Sequence, residues 1–74
     1  FVVHADVHDA FLERFVAGMR ALRVGDPMDP ATQVGPLATA QVRDDVADQV
    51  RRSVAGGARL ACGGEAPPGA GYFY

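Results

Sequence analysis

Apolar residues at positions 7, 11, 15, 19 and 22, with Leu12 and Val16 widening the stripe, recur at the spacing of three and four that puts them on one side of a helix. Asp6 stands where an N-cap belongs, with Asp9 three residues on. The first helix is therefore expected from Val7 to about Arg23, with Gly25 as its stop. Acidic Asp6, Asp9 and Glu13 precede Arg14, Arg20 and Arg23, the order the helix dipole favours. Gly18 inside this helix costs up to about 1 kcal/mol relative to Ala, which is offset if a neighbouring backbone approaches closely there. A second stripe, Val42, Val46, Val50 and Val54, repeats every four residues, with Thr39 as N-cap and Gly56-Gly57 as terminator. It predicts a helix over 40–55, with Asp48 and Arg52 paired at i,i+4.

The apolar runs outside these stripes have a different period. Phe1-Val2-Val3-His4 is apolar on successive residues and rich in β-branched side chains, the pattern of a strand buried on both faces. Arg59-Leu60-Ala61-Cys62, closed by Gly63-Gly64, reads as a second short strand, and Glu65 to Gly71 with Pro67-Pro68 as a loop. The predicted class is α/β, in the order strand, helix, loop, helix, strand. Two short strands cannot close a core, so they are expected to belong to a larger, mainly parallel sheet.

Between the helices lies Gly25 to Leu37, holding three of the five prolines. Each proline fixes its own φ and pushes the residue before it out of the α region, so no helix runs through. Loops longer than about 12 residues are uncommon unless functional or packed on something else. This stretch is expected to lie against a larger body.

Size and composition narrow the setting. A chain of 74 residues is at most one small domain, and at that size the core is marginal without a disulfide, metal or partner. One cysteine excludes an internal disulfide. The formal net charge is −2, all seven basic residues are arginine, and the only adjacent pair is Arg51-Arg52, which argues against nucleic acid as a partner. No apolar run approaches the roughly 20 residues of a membrane span, and a cytoplasmic setting is expected. The apolar start at Phe1 and the aromatic end Tyr72-Phe73-Tyr74 contrast with the polar ends usual for domains. Residues 1–74 are accordingly expected to form part of a domain, incomplete at both ends.

Few residues carry candidate chemistry. Cys62 has no histidine near it in sequence and follows apolar Leu60 and Ala61, which fits a buried structural cysteine better than a reactive thiolate. His4 and His8 are four apart, but a helix start at Asp6 would separate their directions. Asp26 and Asp29 each precede a proline and fit turn chemistry better than acid/base or metal work. Neither a glycine-rich phosphate fingerprint nor a P-loop is present. No catalytic, cofactor-binding or metal-ligating residue is assigned.

Read as a pattern, Gly25-Asp26-Pro27-Met28-Asp29-Pro30, Thr32 and Val34-Gly35-Pro36-Leu37, preceded by Phe11-Leu12-Glu13-Arg14-Phe15, resemble a segment of the NAD(P)-dependent aldehyde dehydrogenase superfamily. Gly57-Ala58-Arg59-Leu60, Cys62-Gly63-Gly64 and Gly71-Tyr72-Phe73 match its continuation in order and spacing. Within the superfamily the chain is most similar to succinate-semialdehyde dehydrogenases. The resemblance implies a piece of the catalytic domain of an enzyme that oxidises an aldehyde to an acid with NAD or NADP, whose partners are the rest of that enzyme and a small aldehyde, and which is a homo-oligomer. It implies a cysteine nucleophile and a general-base glutamate, with the nucleophile's motif just upstream of Phe1 and a Glu-x-Phe-Gly-Pro segment beyond Tyr74. Cys62 does not match the nucleophile. Where some relatives place Gln and Lys to reach the cofactor ribose, this chain has Val42 and Asp45, so neither role is carried over. Two other readings remain on the residues alone: a stand-alone module whose helices pair and bind a partner through the valine stripe, and a catalytically dead structural homologue.

Overall fold

In the computed structural model, which describes residues 1–74, the chain forms a 3-10 turn over Ala5–Val7, a helix α1 over His8–Arg20 and a helix α2 over Ala40–Ala55. The only β feature is an isolated parallel bridge between Val24 and Val34. Neither expected strand forms: Phe1–His4 and Arg59–Cys62 carry no strand and no bridge. A strand exists only when a neighbour accepts and donates its hydrogen bonds, and no backbone amide of either segment donates to another backbone group.

α1 starts and stops differently from its pattern. The cap is His4, whose Nδ1 accepts from the Asp6 amide at 3.2 Å, while Val7 N–H donates to the His4 carbonyl at 3.1 Å. Asp6 thus sits inside the first turn instead of capping it. The helix ends at Arg20, short of Arg23, because the backbone of Arg23 is engaged elsewhere. Its N–H donates to Gln33 Oε1 at 3.0 Å, and its carbonyl accepts from the amides of Gln33 (2.8 Å) and Val34 (3.1 Å). Gly25, expected as the helix stop, instead donates to the Val34 carbonyl at 3.1 Å. Gly18 faces open space, so the close approach expected at that position is not made by this chain.

α2 matches its predicted bounds because both ends are specified locally. Thr39 Oγ1 accepts from Val42 N–H at 3.2 Å. At the other end Gly57, at φ 104°, donates to Val54, and Ala58 donates to Ser53, the paired bonds of a Schellman motif. Asp48 meets Arg52 at 2.7 Å, as expected, and Arg51 at 3.0 Å as well.

The connecting loop has its own order. Asp26 Oδ1 accepts from Met28 N–H at 2.9 Å and Asp29 Oδ1 from Ala31 N–H at 2.8 Å. Two successive turns are closed by Asp29 donating to Asp26 (3.0 Å) and Thr32 to Asp29 (2.9 Å). With Arg23, Gly25, Gln33 and Val34 tying its ends together, the segment is a closed Ω-type loop. These bonds tie the loop's ends and both of its turns to partners within the loop itself.

None of the 74 residues is buried. The radius of gyration is 14.4 Å, against roughly 11 Å for a compact domain of this length. α1 and α2 do not touch one another. Between them runs Ala58–Ala61, with Leu12, Val16 and Ala17 of α1 on one side and Val46, Val50 and Val54 of α2 on the other. Arg20 Nη2 reaches the Ala61 carbonyl at 3.4 Å.

Candidate functional site

The candidate histidines, aspartates and arginines are dispersed, and each of them is engaged in a local interaction. His4 caps the first turn, and His8 Nδ1 lies 2.9 Å from Asp9 Oδ1, so each imidazole meets its own acidic neighbour instead of the other imidazole. No three His, Cys, Asp or Glu side chains converge. The Oδ1 atoms of Asp26 and Asp29 are occupied by the backbone of their own turns, the role their Asp-Pro context predicts. Arg51 and Arg52 share the Asp48 carboxylate on an exposed helix face. Cys62 is a free thiol and partly exposed, where the sequence pointed to burial.

The first turns of α2 carry the two positions at which a dinucleotide contact was considered. Val42 is 40% exposed and has no polar atom on its side chain. Asp45 Oδ1 accepts from Gln41 Nε2 at 2.8 Å. An aliphatic group donates no hydrogen bond, and a carboxylate offers no positive charge, so these two side chains lack the chemistry of the Gln and Lys they replace.

The C-terminal stretch folds back over the same half of α2. Leu37 N–H donates to the Tyr72 carbonyl at 2.9 Å, and the Arg43 guanidinium carbon lies 6.0 Å from the centre of the Tyr72 ring, a cation–π arrangement. Tyr74 OH donates to the Gly64 carbonyl at 3.0 Å. These long-range contacts leave no trace in the periodicity. Only the aromatic composition of the tail signals that it has something to cover.

A second apolar cluster lies at the start of α1. Phe1 approaches Phe15 at 5.4 Å and Phe11 at 6.2 Å between ring centres, and Phe11 and Phe15 stack at 5.6 Å. Leu12 and Val16 line the cleft beside Leu60 while Phe11 and Phe15 line the one beside Val7, neighbouring parts of one wide apolar stripe of α1.

The model of the aldehyde dehydrogenase family matches residues 1–74 in full. The chain belongs to the aldehyde dehydrogenase family. Over all 74 residues it is 58% identical to a succinate-semialdehyde dehydrogenase [NADP(+)] of Mycolicibacterium paratuberculosis, 57% to one of Mycobacterium avium and 55% to one of Mycobacterium ulcerans. In each case the match takes in 100% of this chain and 16% of the relative. The chain thus spans about a sixth of the length of the relatives it matches, in keeping with two amphipathic helices and no buried residue.

Proposed function

We propose that residues 1–74 are a scaffold segment of the catalytic domain of an aldehyde dehydrogenase that oxidises succinate semialdehyde to the dicarboxylate with NADP+ and water, releasing NADPH. The observation that supports this reading is the match over all 74 residues, at 55–58% identity, to relatives named for that aldehyde and that cofactor. The side chains of this segment supply no nucleophile, general base or cofactor contact; they pack. Phe1–His4 and Arg59–Cys62 become strands once the rest of the sheet lies beside them, with α1 and α2 covering it. The whole enzyme works in the cytoplasm as a homo-oligomer, and no helix of this segment is long and apolar enough to cross a membrane.

The test is an assay of the full-length protein for aldehyde-dependent cofactor reduction, followed by absorbance of the reduced nicotinamide. Succinate semialdehyde with NADP+ is expected to give the highest kcat/KM, and the 74-residue chain alone no turnover. A full-length protein that reduces neither NADP+ nor NAD+ in the presence of aldehydes overturns the reading. The rival module, in which α1 and α2 pair as a hairpin, is disfavoured by the absence of any contact between the two helices.

A further inference from the structure

We draw no further inference here: the strongest candidate, the exposed aromatic face that Phe11 and Phe15 of α1 form with Phe1, carries nothing because no observation shows what covers it.

Discussion

Two irregular stretches of this chain, Arg23–Val34 and Arg59–Gly71, are of similar length and behave in opposite ways. The first ties its own ends together and caps its own turns with Asp26 and Asp29. In the second, no backbone amide donates a hydrogen bond to another backbone group. The difference lies in the range of the chemistry each uses. Asp-Pro turns are satisfied within two or three residues, whereas an extended apolar segment is satisfied only by a neighbouring strand. One region is structure the sequence makes by itself, and the other is half of a structure whose remainder must be supplied.

The largest test of this contrast is to separate the segment from the enzyme. The isolated chain, with no buried residue, is expected to melt without a cooperative transition, followed by near-ultraviolet circular dichroism, whereas the full-length enzyme unfolds cooperatively. Sharp, concentration-independent melting of the 74 residues alone breaks the comparison. Hydrogen exchange sharpens it residue by residue. The amides of Arg59–Cys62 should exchange freely in the isolated chain and slow by on the order of a hundredfold or more in the full-length enzyme. The amides of Gln33 and Val34 should differ least between the two samples. Equal protection of both regions in the isolated chain contradicts the assignment.

Substitutions rank below these. A Cβ at Gly64 would lie 2.7 Å from Leu60 Cδ1 on a residue at φ 80°. Gly64→Ala should therefore destabilise the full-length enzyme by about 1–3 kcal/mol in denaturant titration. Gly18→Ala, where a Cβ meets nothing within 4 Å in this chain, separates two cases. A gain of up to about 1 kcal/mol means the position stays open in the enzyme, and a loss means a neighbour packs there. Thr39→Ala should cost about 1 kcal/mol, since the hydroxyl that receives the Val42 amide is lost. Smallest of all, Asp48→Asn should change stability by no more than about 0.5 kcal/mol and less at high salt, because its pairs with Arg51 and Arg52 are on the surface.

The same division explains how much could be read from the residues. Both bounds of α2 were legible because Thr39 and the Gly56-Gly57 pair act within one turn of the helix they delimit. The valine stripe and the turns of Asp26 and Asp29 were legible for the same reason. The end of α1 was not, because Gln33 competes for Arg23 from ten residues away and nothing in the periodicity of α1 encodes that partner. His4 replaced Asp6 as the cap because a 3-10 turn places the imidazole of the preceding residue over the free amide. The strands failed to form for a deeper reason: β-branched composition records a preference for a pleated, half-buried surface, not the presence of one. The turn roles of Asp26 and Asp29 were legible because each carboxylate meets an amide two residues on.

The closed loop also bears on how the enzyme is made. Its ends, Arg23 and Val34, are eleven residues apart, and loops of about ten residues close in roughly 10–100 ns, while a ribosome adds only about 5–20 residues each second. The corner at Arg23 and Val34 has ample time to form before the next residue of α2 leaves the ribosome. The heading of α2 relative to α1 can therefore be chosen early, and the strands that come later inherit a bend already in place.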